Sequence, residues 1–177
     1  AAPTVSIYRT GGKPQLKWSA VSGAAKYWIY RSTDGVNYKY YDTTTKTSYL
    51  NKSTAVGTTY YYKVKAVAVV NGQNVASAYS GAKSLLVSTA APSVKITTSA
   101  HHPKLSWNKV DGATKYWVYR STDGVNFKYY DMTTKLSYTN LSAKSGTRYY
   151  YRVKAVKVVN GKNIASAYSN TVSAKAK

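Results

Sequence analysis

The sequence lacks cysteine and glutamate altogether, and it has five aspartates against 26 lysines and arginines. Without cysteine the chain can form no disulfide, thiolate metal site or thiol nucleophile. No apolar run approaches the length of a membrane-spanning helix. The formal net charge of +21 therefore dominates the composition, and it favours polyanionic partners such as nucleic acid, an anionic cell-wall polymer, or sulfated or sialylated glycans.

The few carboxylates do not form the pairs that general acid–base catalysis commonly uses. Asp34, Asp111 and Asp123 each precede a glycine, where aspartate is favoured for local turn geometry. Asp42 and Asp131 are expected at strand ends, in solvent or paired with a nearby lysine. The sequence therefore predicts no catalytic residues, and the chain is not expected to be an enzyme.

The only histidines, His101 and His102, are adjacent, and neighbouring side chains on a strand point to opposite faces. They would not converge on one ion, so a solvated loop is expected here, with no metal site and no cofactor. Two Asn-x-Ser motifs begin at Asn51 and Asn140 and match the weak pattern for N-glycosylation.

The chain contains one internal repeat. A shift of 89 positions aligns Trp18 with Trp107, and 53 of the 88 compared positions are identical without a gap. This period is too long for a solenoid unit and matches one independent β-sandwich. We therefore predict two modules, residues 1–88 and 89–177, joined by a short, semi-rigid segment at 88–92 that ends in proline.

Each module has the pattern of about seven short strands, with alternating side chains and turn residues between them. Turns recur every 8–12 residues and no helical period is present, so the prediction is an all-β, immunoglobulin-like sandwich. In the first copy the strands are expected at Thr4–Tyr8, Pro14–Ala20, Lys26–Arg31, Tyr38–Asp42, Ser48–Leu50, Tyr60–Val70 and Val75–Tyr79.

Three segments of the first copy resemble fibronectin type III modules, in particular the bacterial variety repeated in secreted and surface proteins of Gram-positive species: Leu16–Trp18, Lys26–Arg31 and Gly57–Val67. The resemblance implies that Trp18 and Trp107 are core tryptophans of the second strand. It also implies that Tyr60 and Tyr149 are tyrosine corners. No Arg-Gly-Asp stands in the loop after the sixth strand, so integrin-type recognition is not implied.

The outward side of the third and sixth strands is the candidate ligand face. We call it the aromatic–basic face, and its members are Lys26, Trp28, Tyr30, Tyr61, Lys63 and Lys65 in the first copy and Lys115, Trp117, Tyr119, Tyr150, Arg152 and Lys154 in the second. Aromatic rings beside cations can stack on sugars or bases and neutralise anions. The same side chains also stabilise a sheet by cross-strand packing alone, and lysine protects sheet edges from aggregation.

Three functions fit these features. The first is a non-catalytic spacer in a longer secreted or cell-surface bacterial protein, which positions neighbouring catalytic or adhesive domains and contacts an anionic cell wall. The second is a carbohydrate-binding or adhesion module that uses Trp28 and Trp117 as stacking platforms. The third, nucleic-acid binding, is less favoured, because the basic residues are dispersed and no recognised nucleic-acid motif is present.

Overall fold

The computed structural model describes all 177 residues, which form two compact units, Ala1–Val87 and Ser88–Lys177. Regular structure consists entirely of β-strands, as predicted. The structure has no helical segment with the length and apolar character that a membrane span requires. The strands of the first unit are β1 Val5–Thr10, β2 Lys13–Trp18, β3 Lys26–Ser32, β4 Lys39–Thr44, β5 Ser48–Leu50, β6 Thr59–Val70, β7 Gln73–Ala76 and β8 Lys83–Leu86.

The second unit repeats this order. Its strands are β9 Val94–Ser99, β10 His102–Trp107, β11 Lys115–Ser121, β12 Lys128–Thr133, β13 Ser137–Thr139, β14 Arg148–Val159, β15 Lys162–Ala165 and β16 Val172–Lys175. Residues at its start pack against the unit itself. The Thr89 hydroxyl donates to the Ala155 carbonyl at 3.3 Å, and Ala90 contacts the core.

Each unit is a sandwich of two antiparallel sheets. In the first unit β1, β2 and β5 form one sheet, and β4, β3, β6 and β7 form the other, with β8 also paired to β6. Because β7 and β8 both pair with β6, they are two halves of one interrupted edge strand. This interruption explains why eight strands are found where about seven were predicted.

The alternation of side chains decides which residues fill the core, since successive strand residues point to opposite faces. In β3, Tyr27 and Ile29 are buried on the side opposite the predicted outward face, and in β6 the buried residues include Tyr62 and Val64. They pack against Leu16 and other residues of the opposite sheet. The neighbours on the other side of β3 and β6 are thereby left on the outer surface, where the aromatic–basic face was predicted.

The predicted strand through Tyr79 is wrong. The regular ladder with β6 stops at Ala76 and resumes at Lys83, and between them only the Ser77 and Ser80 N–H groups still donate to β6 carbonyls. Within the gap the Ser77 hydroxyl accepts the Ala66 N–H and the Ser80 hydroxyl accepts the Val64 N–H, both at 3.0 Å. Serine side chains thus supply acceptors for β6 here, and the second unit repeats the arrangement with its own serines.

Candidate functional site: the aromatic–basic face

The register of β3 and β6 brings the predicted face together. Trp28 lies opposite Lys65, and Tyr30 lies opposite Lys63. All six predicted residues of the first unit are half-buried, as are all six of the second. Lys26 lies opposite Val67 at one end of the ladder. The face is therefore a continuous strip on the outside of the five-stranded sheet.

Three further tyrosines complete this face in the first unit, and the sequence pattern did not assign them to it. Tyr40 packs edge-on against Trp28 and Tyr30, with ring centroids 6.4 and 6.0 Å away. Tyr79 packs edge-on against Tyr30 at 4.9 Å. Tyr38 lies under the Lys63 ammonium, which is 4.3 Å from the ring centroid.

Lysines of the face are held over these rings. The Lys65 ammonium is 4.2 Å from the Tyr79 ring centroid, and the Lys63 ammonium is 5.6 Å from the same ring. Such contacts between a cation and a ring contribute about 0.5–1 kcal/mol at exposed sites. Burial, followed by the proximity of Tyr79, raises the pKa of Tyr30 above its ordinary value. The side chains of the face thus pack against one another, and cross-strand packing accounts for much of this arrangement without a ligand.

The second unit reproduces the layer with two changes of residue type. Arg152 replaces lysine and lies 4.1 Å over the ring of Phe127, which replaces tyrosine. Lys154 lies 4.0 Å over Tyr168, and Tyr119 packs edge-on against Tyr168 at 4.9 Å. Trp117 packs against Tyr129 as its counterpart does in the first unit.

A β-bulge explains why Tyr40 belongs to this face. The pairing of β3 with β4 shifts between Ile29 and Tyr30, so that Tyr41 is an extra residue. Strict alternation from Thr43, which lies opposite Trp28, would have placed Tyr40 on the inner side. The bulge reverses the alternation, and Tyr40 remains 55% exposed. The Tyr-rich composition of the strand was visible in the sequence, but the position of the bulge was not.

The predicted core residues are buried. Trp18 and Trp107 lie in the two cores, each beside a core tyrosine of the facing sheet. The Tyr60 hydroxyl accepts the Ala55 N–H at 3.2 Å, and the Tyr149 hydroxyl accepts the Lys144 N–H at 3.2 Å. Each tyrosine therefore ties the start of its long strand to the preceding loop.

The two Asn-x-Ser motifs contain buried asparagines rather than accessible ones. Asn51 is 1% exposed, and its amide nitrogen donates to the Tyr62 hydroxyl at 2.7 Å. Its oxygen accepts from the Tyr41 hydroxyl and the Ser53 N–H, each at 3.1 Å. Burial raises the pKa of Tyr62 to about 12. Asn140 makes the corresponding contact with Tyr151 in the second unit.

Most of the aspartates are engaged in local hydrogen bonds. Asp34 accepts from the Ser32 hydroxyl, from the Val36 and Asn37 N–H groups, and from the Asn37 side chain, all within 2.6–2.8 Å. These bonds, the one from Ser32 foremost, hold its pKa well below the ordinary value. Asp123 has the same set of contacts in the second unit. Both lie in turns before glycine, where the sequence placed them.

The expectation for Asp42 and Asp131 requires correction. Both lie inside strands, β4 and β12, rather than at strand ends. The Tyr49 hydroxyl donates to Asp42 at 2.7 Å, and Tyr138 is the corresponding partner of Asp131. Asp42 lies opposite the buried Ile29, and Asp131 lies opposite the buried Val118. The two carboxylates therefore face the opposite sheet, which is why their partner is a tyrosine hydroxyl and not a lysine.

The histidine pair spans the end of the β9–β10 hairpin. His101 lies in the two-residue turn with a φ of 71°, and His102 begins β10. The loop expected from the sequence thus holds only His101, since His102 belongs to a strand and is half-buried.

The sandwich topology of each unit is that of an immunoglobulin-like fold of the fibronectin type III kind, and solved structures share it. The chain is similar to the chicken interferon gamma receptor alpha chain, with a TM-score of 0.64 and 12% identity over 99% of this chain and 98% of that one. It is also similar to a two-domain fibronectin type III segment of chicken tenascin, with a TM-score of 0.51 and 15% identity over 98% of both chains. No family model and no curated protein matches the sequence. At these identities the likeness establishes the fold.

Proposed function

We propose that this chain is a non-catalytic tandem module of a larger secreted or cell-surface bacterial protein. It spaces neighbouring domains and rests on an anionic cell-wall polymer through the aromatic–basic face of each unit. The observation that carries the proposal is the composition of that face. The cations of the face lie over partly exposed aromatic rings. No carboxylate is present among the residues predicted for the face or among the aromatic residues that the structure adds to it.

The state of the carboxylates supports a non-catalytic role. Asp34 and Asp123 accept hydrogen bonds on both oxygens within turns, and Asp42 and Asp131 bind tyrosine hydroxyls. A general base needs a carboxylate free to reach a substrate proton, and these four are committed to the fold. Asp111 lies alone in the turn before Gly112.

Co-sedimentation with isolated Gram-positive cell walls tests the binding half of the proposal. We expect the chain to be retained on native walls and released from walls stripped of their anionic polymers, with retention falling as sodium chloride rises, because screening weakens contacts between exposed charges. Equal retention on native and stripped walls would contradict an anionic ligand. Sequence-selective DNA binding that resists salt would favour the nucleic-acid function instead.

The spacing half is tested in the parent protein. Deletion of both units is expected to shorten the reach of the neighbouring domains or to reduce their retention at the cell surface, because two folded units add their own length between the domains that flank them. A deletion that changes neither reach nor retention would contradict the spacer role.

A carbohydrate-binding function is the second candidate, and the exposure of the added rings favours it. Tyr40 and Tyr129 are 55% and 56% exposed beside Trp28 and Trp117. Ring faces of this kind stack on neutral sugars without any anionic group. Pull-down on neutral polysaccharides with a Trp28→Ala, Trp117→Ala double variant tests it, and unchanged binding would exclude these tryptophans as the platform.

A further inference from the structure

The first unit has a small apolar groove beside its core, where the β6–β7 hairpin meets the loop between β2 and β3. Its volume is about 220 Å³, which is below the range of most small-ligand sites and suits a short piece of polypeptide. Val75 lies opposite Ala68 in the hairpin, so both are on one face, and Val75 is 54% exposed. The lining is uncharged and includes Ala1, Val21, Ala24, Ala66, Ala68 and Val75.

In the second unit, residues before the first strand cover the equivalent position. The Thr89 hydroxyl donates to the Ala155 carbonyl at 3.3 Å, and Thr89 is only 3% exposed. Ala90 packs against the core that contains Ala155 and Val110. Val110 is buried there, whereas its counterpart Val21 in the first unit is only half-buried. The segment that enters the second unit is therefore part of that unit's packing.

The first unit has the same acceptor, with capacity for one more donor. The shift of 89 positions relates Ala66 to Ala155. The Ser77 N–H donates to the Ala66 carbonyl at 2.8 Å, and the second unit has the same bond to Ala155. A carbonyl oxygen has two lone pairs, and in the second unit the Thr89 hydroxyl uses the other one. The position that corresponds to Thr89 is the one directly before Ala1.

We propose that the groove of the first unit is the docking site for the polypeptide segment that leads into this unit, through a threonine directly before Ala1. The threonine hydroxyl donates to the Ala66 carbonyl, and the aliphatic part of the segment covers Val21 and Val75. The inference rests on the proposed function, in which the chain is part of a larger protein. It adds that the incoming segment packs on the unit and moves with it, as the Thr89 segment does in the second unit.

Hydrogen exchange of the full chain with short amino-terminal extensions tests the proposal. One form has Ser-Thr before Ala1, which copies Ser88 and Thr89, and the control has Ser-Val, which keeps the shape and lacks the hydroxyl. We expect the amides of the β6–β7 hairpin to exchange about fivefold more slowly with Ser-Thr, the effect of one hydrogen bond. Equal exchange in the two forms would overturn the proposal. Slower exchange of the unextended chain at higher protein concentration would also overturn it, because a second copy would then cover the groove.

The second unit provides the reciprocal test. Thr89→Val is expected to speed exchange in the β14–β15 hairpin about fivefold, because the Ala155 carbonyl loses one donor. Thr98→Val, the same substitution at an exposed position of β9, is the control and should leave that hairpin unchanged. Equal exchange in the two variants would contradict the role of the threonine. None of these changes removes a cation of the aromatic–basic face, so wall retention that persists while the Ser-Thr extension has no effect overturns the docking site and leaves the proposed function intact.

Discussion

The buried asparagine after β5 joins three parts of the first unit. Asn51 bonds to Tyr62 in β6, Tyr41 in β4 and the Ser53 N–H of its own loop. A residue so placed cannot present its amide nitrogen to a modifying enzyme while the unit is folded. The Asn-x-Ser pattern therefore marks a structural position, and only burial, which the motif does not encode, distinguishes the two roles.

Replacement of Asn51 by alanine is expected to destabilise the first unit by about 2–3 kcal/mol, because the Tyr62 hydroxyl loses its buried partner and its solvation is not restored. Hydrogen exchange of the β6 amides measures the loss and separates the two units. Asn140 remains in the second unit as the internal control, whose exchange should be unchanged. A decrease in the free energy of unfolding below about 0.5 kcal/mol, which is typical of a surface substitution, would contradict the structural role of Asn51.

Acid unfolding is expected to depend on the turn aspartates. Hydrogen bonds lower the pKa values of Asp34 and Asp123 in the folded chain, and the bond from the serine two residues earlier has the largest effect. Their contribution to stability is therefore present above the unfolded pKa, about 3.9, and is lost as the pH falls through the folded value. An Asp34→Asn, Asp123→Asn variant should melt below the parent at pH 7, and the gap should narrow below about pH 4.

Thermal melts followed by circular dichroism at pH 7, 4 and 2.5 measure this gap. Asp111→Asn is the control, because Asp111 lies in a different turn and has no such set of donors. A gap that stays constant over this range would contradict the assignment.

At the scale of the element, two hairpins with equal loop length differ in turn residues. The β1–β2 turn has Gly11 and Gly12, and the β9–β10 turn has Ala100 and His101, all four with positive φ. Glycine adopts this conformation without the steric penalty of a Cβ atom. The second hairpin therefore has a strained turn that the first does not.

Exchange of the turns between the two hairpins is expected to have opposite effects. Ala100→Gly with His101→Gly should stabilise the second unit by about 1 kcal/mol, and Gly11→Ala with Gly12→His should destabilise the first by a similar or larger amount. Differential scanning calorimetry of both variants measures the effects. Changes of the same sign in the two hairpins would contradict strain as the cause.

The interrupted edge strand depends on serine hydroxyls. Ser80 is buried and accepts the Val64 N–H, so Ser80→Ala leaves a buried donor unpaired at a cost of about 1–3 kcal/mol. We also expect Tyr79 to lose its fixed contact with Tyr30, which the chemical shifts of the two rings would report. Ser84→Ala, on exposed β8, serves as the control and should leave both properties unchanged.

Strand positions and core faces were largely predictable, because period-two alternation and turn residues are local signals. Tyr27, Ile29 and Tyr62 followed from that alternation. The positions of Tyr40 and Tyr79 did not follow from it. A bulge reverses the alternation of side chains at Tyr40, and Tyr79 lies in the gap between β7 and β8, where serine hydroxyls bond to β6. Both features depend on pairing with other strands.

At the scale of the whole molecule, the positive charge is divided unequally between the two folded units. The first has 11 basic and two acidic residues among positions 1–88, giving +9, and the second has 15 and three among 89–177, giving +12. Long-range attraction to a polyanion follows from this charge in any arrangement. The specific claim is that the aromatic–basic faces, rather than the total charge, hold the polymer.

The most direct measurement compares two variants with equal net charge on native cell walls. One replaces the face cations Lys63, Lys65, Arg152 and Lys154 by glutamine, and the other replaces the exposed lysines Lys46, Lys52, Lys135 and Lys144. Circular dichroism first confirms that both are folded. The account predicts at least a tenfold loss of retention for the face variant and less than a twofold loss for the other. Equal losses would contradict it, because retention would then follow net charge alone.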